Sequence, residues 1–267
     1  MKISLILATI NRTIELEIFL KSLTRQIYTD FELIVVDQNK DDRLITLVNK
    51  YKNCFPIKHI RCNITGLSRA RNIGIHHING DVIGFPDDDC EYTCETLAMV
   101  NQVFNGCCNI DGITGKHVSS FSQSNRPKKT KLNVYNVWLW SISFTIFLRK
   151  KVILTIGSFD VNLGVGSGTP YGSGEETDYL IRAIKGKFLI YHIPYLQVKH
   201  PMINWTDNRI YEKAYNYSVG RKYVLEKQVY SKWFIALNII YPIIKAVFTL
   251  FNKRKTRYYW NQFRGRI

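Results

Sequence analysis

Cysteine is scarce and irregularly placed in this 267-residue sequence. The six cysteines are Cys54, Cys62, Cys90, Cys94, Cys107 and Cys108. They are too few for the disulfide framework of a small secreted domain, and none of them forms the paired C-x2-C pattern of a structural zinc site. This distribution favours ordinary thiols of a protein in a reducing compartment.

Acidic residues are also scarce, because 21 Asp and Glu stand against 37 Lys and Arg, a formal net charge of +16. Such an excess implies an anionic partner, either a nucleic acid, a phosphate-bearing substrate or a membrane surface. Residues 201–267 carry 13 basic and 3 acidic side chains, so ten of the sixteen excess charges lie in the last quarter of the chain. The basicity therefore belongs to the C-terminal region.

The sequence has neither a collagen-like nor a heptad repeat, which excludes fibrous proteins, and its 13% aromatic content excludes a disordered one. The apolar run at residues 3–8 is too short for a signal sequence with its cleavage site, so we expect a buried first strand and no export.

Apolar runs at residues 3–8 and 31–36 predict buried strands, the first of them covered on both faces, and two shorter strands are predicted at 57–60 and 82–85. Helical spacing of apolar residues lies between them. This alternation predicts an α/β fold with a mostly parallel, Rossmann-like sheet flanked by helices. Because such sheets bind ligands beyond the carboxyl ends of their strands, the polar residues that stand there are candidates for a site. They are Thr9, Asp37, Asp87, Asp88 and Asp89.

Three adjacent carboxylates, Asp87, Asp88 and Asp89, repel one another unless a cation binds them. Hard oxygen ligands suit Mg²⁺ or Mn²⁺. In extended backbone Asp87 and Asp89 point to one side and Asp88 to the other. We therefore expect a divalent metal here, with phosphate groups of a substrate as further ligands.

A second acidic group, Glu175, Glu176 and Asp178, follows a glycine-rich run at residues 164–174. Acids at a helix start complement its dipole, but the glycines indicate a close approach to a ligand. Their spacing is not that of a G-x-G-x-x-G dinucleotide site.

The remaining histidines, an apolar alternation and a basic run are interpreted as structural features. Five histidines are interpreted as surface or loop residues without partners: His59, His76, His77, His117 and His192. Alternating apolar residues at 138–148 predict a strand, and the basic run at 126–131 predicts a solvated loop.

The order of the motifs resembles family 2 glycosyltransferases of the GT-A fold, and most closely the bacterial enzymes of O-antigen or capsule synthesis. The resemblance covers roughly residues 1–201 and rests on these segments: 4–12 (SLILATINR), 33–37 (LIVVD), 66–72 (GLSRARN), 85–89 (FPDDD), 157–160 (GSFD), 174–178 (GEETD) and 198–201 (VKHP). It implies a catalytic domain at 1–205, with a nucleotide-sugar half at 1–117 and an acceptor half at 118–205. Residues 206–267 would form a basic, apolar helical region.

The resemblance also implies roles for individual residues. The nucleotide-sugar would be bound by Thr9, Asn11, Arg12, Asp37, Gly66, Arg71, Asp87 and Asp88. The metal, Mn²⁺ or Mg²⁺, would be held by Asp87, Asp89 and His200. The catalytic base would be Glu176, although the family usually has Asp there, so Glu175 and Asp178 remain alternatives.

The implied reaction is metal-dependent, inverting transfer of one sugar from a nucleotide-diphospho-sugar to a hydroxyl of a saccharide acceptor, which we expect to be lipid-linked. A sugar nucleotidyltransferase is the alternative, but it gives the Glu175-Glu176 pair no task. A basic nucleic-acid-binding protein is a second alternative. It is disfavoured because the basic residues flank an apolar stretch instead of interleaving with stacking aromatics, so we expect no nucleic acid partner.

The apolar stretch, residues 233–251, is barely long enough to span a membrane, and its flanks carry similar numbers of basic residues. Pro242 is expected to break the helix. We therefore predict an in-plane or re-entrant hairpin on the cytoplasmic face of the inner membrane. A helical hairpin packed on the catalytic domain or on a second copy, as in a homodimer, is the alternative.

Overall fold

The computed structural model describes residues 1–121 and 128–267. The first two residues of the basic run predicted as a loop, Arg126 and Pro127, lie outside the described residues. The strands are β1 (Ile3–Thr9), β2 (Phe31–Asp37), β3 (Ile57–Arg61), β4 (Val82–Gly84), β5 (Glu91–Tyr92), β6 (Gly112–Val118), β7 (Thr130–Lys131), β8 (Ile146–Arg149) and β9 (Ile190–Lys199). The α-helices are α1 (Ile14–Thr24), α2 (Ile45–Tyr51), α3 (Leu67–Ile75), α4 (Thr96–Gly106), α5 (Lys150–Ile156), α6 (Glu175–Lys185), α7 (Arg209–Lys227), α8 (Lys232–Phe248) and α9 (Lys253–Arg264).

The strands form one mixed sheet in the order β3-β2-β1-β4-β8-β6-β9-β5, with β7 paired to β9. The first four strands in this order are parallel, and β8 joins β4 antiparallel. All seven residues of β2 are buried, as an apolar strand covered by helices on both faces requires. The predicted α/β architecture with a mostly parallel core is therefore confirmed.

The strand predicted at residues 138–148 is wrong over most of its length. Asn136–Leu139 and Ser143–Thr145 are short 3₁₀ helices, and only Ile146–Arg149 is a strand. Burial does not alternate here, since Leu139 is exposed whereas the consecutive residues Phe144 and Thr145 are both buried. Two tight turns satisfy the same apolar spacing.

The chain divides into two compact units. The first unit comprises residues 1–65, 69–159 and 179–201 and contains the whole sheet with its core. The second unit comprises residues 66–68, 160–178 and 202–267. It contains the glycine-rich run, the acidic start of α6, and the C-terminal helices α7, α8 and α9.

Helix α8 continues through Pro242, so the expected break is wrong. Proline has no N–H to donate to the carbonyl four residues earlier, which is that of Asn238. Arg266 replaces the missing donor, because its Nη1 donates to this carbonyl at 2.6 Å. Within the described residues, none of the helices combines the length and apolar character that crossing a membrane requires.

Candidate functional site

The end of β4 and the end of β9 bring two carboxylates and an imidazole together. After the acid triplet the chain forms β5, whose Glu91 pairs with Lys199 at the end of β9. This pairing places His200 beside the triplet. The ligand atoms of Asp87, Asp89 and His200 all lie within 4.8 Å of one another. The alternation predicted for the triplet is observed.

Asp88 faces the first strand instead. Thr9 Oγ1 donates to Asp88 Oδ2 at 2.7 Å, and Arg12 Nη1 donates to Asp88 Oδ1 at 2.6 Å. The same guanidinium nitrogen lies 2.6 Å from Asp89 Oδ2. Arg12 therefore bridges two acids of the triplet, and the loop after β1 is tied to the loop after β4.

Burial shapes the charges of the triplet. Burial raises the pKa of Asp87 and of Asp88, in each case more than the neighbouring arginine lowers it. It also acts to raise the pKa of Asp89, but the nearby His200 and Arg12 bring that pKa below its usual value. Burial acts to lower the pKa of His200, and the proximity of Asp89 raises it above its usual value instead. Burial therefore disfavours the charged forms of Asp87 and Asp88, whereas Asp89 and His200 favour each other's charged form.

The donor set fits a divalent cation. Asp89 Oδ1 is buried, and although His200 Nε2 lies 2.9 Å away, no group among the described residues donates to this oxygen with hydrogen-bonding geometry. Two carboxylates provide hard oxygen ligands for Mg²⁺ or Mn²⁺, and the imidazole nitrogen favours Mn²⁺ of the two.

Arg71 and Ser143 both contact Asp87. Arg71 is 1% exposed, and its Nη2 lies 3.2 Å from Asp87 Oδ1. Its guanidinium also lies over the rings of Phe85 and Phe159. Ser143 Oγ is 3.3 Å from each oxygen of Asp87 and donates to the carboxylate. In this structure Arg71 therefore orients a candidate metal ligand, a contact that the sequence did not predict.

Asp37 lies at the end of β2 and is 1% exposed. Its Oδ1 accepts from both nitrogens of Asn39, at 2.8 and 2.7 Å, and its Oδ2 accepts from His59 Nε2 at 2.9 Å. The interpretation of His59 as partnerless is therefore wrong. Asn39 Oδ1 in turn accepts from the N–H of Asn11, which has a φ of 60°. The spacing of Asp37 and Asn39 is that of an Asx-turn, the one sequence signal that could have identified Asn39.

Two more histidines differ from the sequence interpretation. His192 is buried, and its ring stacks on Trp140 at 4.9 Å. Burial lowers the pKa of His192 to about 4, so its ring is neutral at physiological pH. His117 Nε2 donates to the carbonyl of His200 at 3.0 Å. Both are held by residues distant in sequence, which a single sequence does not reveal.

In the second unit, glycines with positive φ bring the backbone close to the acidic start of α6. Gly164 has a φ of 96°, and a Cβ there would lie 3.1 Å from Glu175 Oε2. A Cβ on Gly166 would lie 3.4 Å from the backbone of Gly66. Glu175 is buried and Glu176 is half-buried. The glycine run therefore packs around the first turn of α6 and around Gly66.

Asp178 contacts Lys227, the last residue of α7, and Gln228, the residue that follows this helix. It is fully buried, accepts from Gln228 Nε2 at 2.7 Å, and lies 2.9 Å from Lys227 Nζ. Lys227 Nζ also lies 2.8 Å from Asp160. These contacts neutralise Asp178 and fix its side chain.

Comparison with known proteins finds a family model and several enzymes that are similar to this chain. The model of "Glycosyl transferase family 2" matches residues 4–159, which is more than half of the chain. The poly(ribitol-phosphate) β-N-acetylglucosaminyltransferase TarS of Staphylococcus aureus is 30% identical over 144 residues, covering 50% of this chain and 25% of TarS. A GalNAc(5)-diNAcBac-PP-undecaprenol β-1,3-glucosyltransferase of Campylobacter jejuni is 34% identical over 107 residues, covering 39% of this chain and 35% of that enzyme. The chain thus spans about a quarter to a third of the length of these relatives.

Solved structures share the fold. The crystal structure of TarS residues 1–349 in complex with UDP has a TM-score of 0.64 at 17% identity, covering 100% of this chain and 90% of that one. The mannosyltransferase PcManGT of Pyrobaculum calidifontis, in complex with GDP-Man and Mn²⁺, has a TM-score of 0.66 at 11% identity, covering 99% of this chain and 85% of that one. The sheet, its flanking helices and the matched family model together establish that this chain belongs to glycosyl transferase family 2, an inverting family, and has a GT-A-like fold.

Proposed function

We propose that the protein transfers one sugar from a nucleotide-diphospho-sugar to a hydroxyl of a saccharide acceptor, with inversion and with a divalent metal. The observation that carries this proposal is the cluster of Asp87, Asp89 and His200 at the carboxyl edge of the sheet. Its buried Asp89 Oδ1 has no hydrogen-bond donor within residues 1–121 and 128–267. Parallel-sheet folds bind their ligands at this edge. Mn²⁺ or Mg²⁺ held by these three residues would stabilise the negative charge that develops on the diphosphate leaving group.

The donor side of the site is proposed to lie in the first unit. Thr9, Asn11 and Arg12 follow β1, and the guanidinium of Arg12 is about half exposed, so it can contact a phosphate as well as Asp88. Asp37 is proposed to act on the nucleobase with Asn39 and His59, the residues that hold it. We propose that Arg71 also belongs to this donor side, through its ion pair with Asp87. Gly66, which belongs to the second unit, is proposed as a further donor-binding residue.

The catalytic base is proposed to be Glu176. A base must accept the proton of the acceptor hydroxyl, so its carboxylate has to be within reach of substrate. Glu176 is half-buried, whereas Glu175 is buried and Asp178 is fully buried against Lys227 and Gln228. The engagement of Asp178 makes it the weakest of the three candidates, and Glu175 remains the closest alternative.

The donor is proposed to be a uridine diphospho-sugar, because TarS, a relative at 30% identity, has been crystallised with UDP. By name, TarS is a poly(ribitol-phosphate) N-acetylglucosaminyltransferase and the Campylobacter jejuni enzyme is a glucosyltransferase of an undecaprenol-linked saccharide. These names support a role in bacterial polysaccharide synthesis such as O-antigen or capsule. The undecaprenol in the name of the Campylobacter jejuni enzyme supports a lipid-linked acceptor. Residues 1–205 are proposed as the catalytic domain, with residues 1–117 binding the donor and 118–205 the acceptor.

The C-terminal region, residues 206–267, is proposed to bind the cytoplasmic surface of the inner membrane. One face of α8 buries Asn238, Pro242 and Ala246. The opposite face exposes large apolar side chains at helical spacing: Trp233, Leu237, Ile240, Tyr241, Ile244, Val247 and Phe248. Basic residues follow at the start of α9, so apolar insertion and attraction to anionic lipid would act together. A second copy of the chain is the other partner that this apolar face would suit.

Vesicle flotation distinguishes the two partners. We expect the full chain to float with vesicles that contain phosphatidylglycerol, and the double substitution Val247→Ser, Phe248→Ser to remain at the bottom of the gradient. Leu154→Ser, at an exposed apolar position of the first unit, is the matched control and should float like wild type. A wild-type chain that stays unbound and forms a dimer lost on the double substitution would support the second copy instead.

The activity is tested by incubating the protein with a panel of nucleotide-sugars, Mn²⁺ and short saccharide acceptors, and separating the products by mass spectrometry. We expect one uridine diphospho-sugar to be consumed, with UDP released and one hexose-type unit added to an acceptor. In a parallel reaction that contains a nucleoside triphosphate and a sugar phosphate, release of diphosphate would instead indicate a nucleotidyltransferase.

A further inference from the structure

The imidazole ring of His200 is held by two other rings. Phe144 lies flat against it, with centroids 4.5 Å apart and an interplanar angle of 2°. The ring of His117 stands edge-on to it, at 5.5 Å and 88°. Phe144 is 5% exposed and the side chain of His200 is 23% exposed, so Phe144 covers one face of a partly exposed ring. The ring of His200 therefore has little freedom to rotate about its Cβ–Cγ bond.

Hydrogen bonds of His200 fix which ring nitrogen faces the carboxylates. Nδ1 lies 2.9 Å from the carbonyl of Pro201, and because a carbonyl only accepts, Nδ1 carries the hydrogen. In the neutral ring this leaves the lone pair on Nε2, the atom nearest Asp89. The backbone N–H of His200 also donates to Val118, and its carbonyl accepts from His117. The backbone and Nδ1 of His200 are thus held by groups outside the acid triplet, and Nε2 is the ring nitrogen that faces Asp89.

Phe144 belongs to the 3₁₀ helix Ser143–Thr145, and this one turn contacts two of the three candidate metal ligands. Ser143 Oγ donates to the carboxylate of Asp87, and the next residue, Phe144, stacks on His200. Thr145 Oγ1 closes the turn by donating to the carbonyl of Ile142 at 2.8 Å. A rigid turn thus connects the ligands that follow β4 and β9.

We propose that Phe144 is a positioning residue of the metal centre, which holds the His200 ring with Nε2 directed at the site before a cation binds. This inference rests on the proposed function, because it takes His200 as a metal ligand. The torsion that orients an imidazole is broad, so a ring without a stacking partner samples many angles. A held ring loses less freedom on metal binding, and groups that orient metal ligands typically change metal affinity by about 10- to 100-fold.

The test measures Mn²⁺ affinity directly, by electron paramagnetic resonance titration of the full chain without nucleotide. We expect Phe144→Leu, which keeps an apolar side chain but removes the ring, to weaken Mn²⁺ binding about 10-fold. Phe144→Tyr keeps the ring and should bind Mn²⁺ like wild type. Phe55→Leu removes another buried aromatic ring of the same unit, one that pairs with Phe31, and should leave Mn²⁺ affinity unchanged.

A double-mutant cycle shows whether Phe144 acts through His200. In a His200→Ala background, Phe144→Leu should have no further effect on Mn²⁺ affinity. An equal loss in both backgrounds, or the same loss with Phe55→Leu, would overturn the inference and indicate a general effect on folding.

The outcomes separate this inference from the proposed function. If His200→Ala weakens Mn²⁺ binding and Phe144→Leu does not, Phe144 has no positioning role while the metal centre stands. If neither His200→Ala nor Asp89→Ala changes Mn²⁺ binding, the metal centre itself is wrong, and the role of Phe144 fails with it.

Discussion

The described residues include an acidic cluster and a basic cluster of like charges, and the groups that compensate these charges differ between the two. In the first unit, Asp87, Asp88 and Asp89 meet Arg71, Arg12 and His200. In the second unit, burial and mutual repulsion lower the pKa of Arg221 to about 9, and burial lowers that of Arg266 to about 10. Both arginines bind oxygens of Asn238, Arg221 at the side chain and Arg266 at the carbonyl that Pro242 leaves without a donor.

This difference indicates that the acidic cluster is a candidate metal site and that the basic cluster holds the C-terminal helices together. The arginines bind an amide and a backbone carbonyl of α8, so their contacts join α7, α8 and the end of α9. In the acidic cluster, two carboxylates and an imidazole lie within 4.8 Å of one another, close enough to bind one cation together. Each cluster should therefore respond to substitution in its own way, the acidic one through activity and the basic one through stability.

The largest effect is expected for Asp89→Ala. Removing a metal ligand loses several kcal/mol of stabilisation of the developing charge, so turnover should fall on the order of 1000-fold while the unfolding midpoint changes little. Asp30→Asn, at an exposed aspartate of the same unit, should be fully active. If Asp89→Ala, assayed in the presence of a chelator, still turned over as fast as the untreated wild type, the metal site would be contradicted.

A smaller effect on turnover is expected for Glu176→Gln. The substitution removes a proton acceptor but keeps the shape of the side chain, so turnover should fall about 100-fold or more with donor affinity unchanged. Asp178→Asn leaves Lys227 without one of its two carboxylates and should mainly lower the unfolding midpoint. If Asp178→Asn is inactive yet stable while Glu176→Gln is active, the base is misassigned.

The basic cluster predicts an effect on stability alone. Arg266→Gln leaves the Asn238 carbonyl without its donor, so the free energy of unfolding in urea should fall by about 1–2 kcal/mol. Adding Pro242→Ala supplies a helical N–H for that carbonyl and should restore most of the loss. A higher free energy of unfolding for Arg266→Gln would mean that repulsion from Arg221 outweighs the hydrogen bond. It would contradict a stabilising role for Arg266.

The spacing of residues close together in the sequence predicted the elements and site residues that depend on such spacing. Strands β1, β2 and β4 were identified because they are short apolar runs, and the structure buries them. The acid triplet was identified because its alternation separates Asp88 from Asp87 and Asp89. Asn39 was missed although its bond to Asp37 is local. The contacts of Phe144 and His117 with His200 were not predicted, because they join segments distant in the chain. The break expected at Pro242 was wrong for the same reason, since the replacement donor lies 24 residues further on, at Arg266.

The central claim is that the acid cluster binds a nucleotide-sugar through a divalent cation. Isothermal titration of UDP into the wild-type chain, first with Mn²⁺ and then with EDTA, tests it most directly, with Asp89→Ala measured alongside. We predict that the wild type binds UDP at least about 10-fold more tightly with Mn²⁺ than with EDTA, and that Asp89→Ala shows no such difference. Equal UDP affinity of the wild type in Mn²⁺ and in EDTA would contradict it.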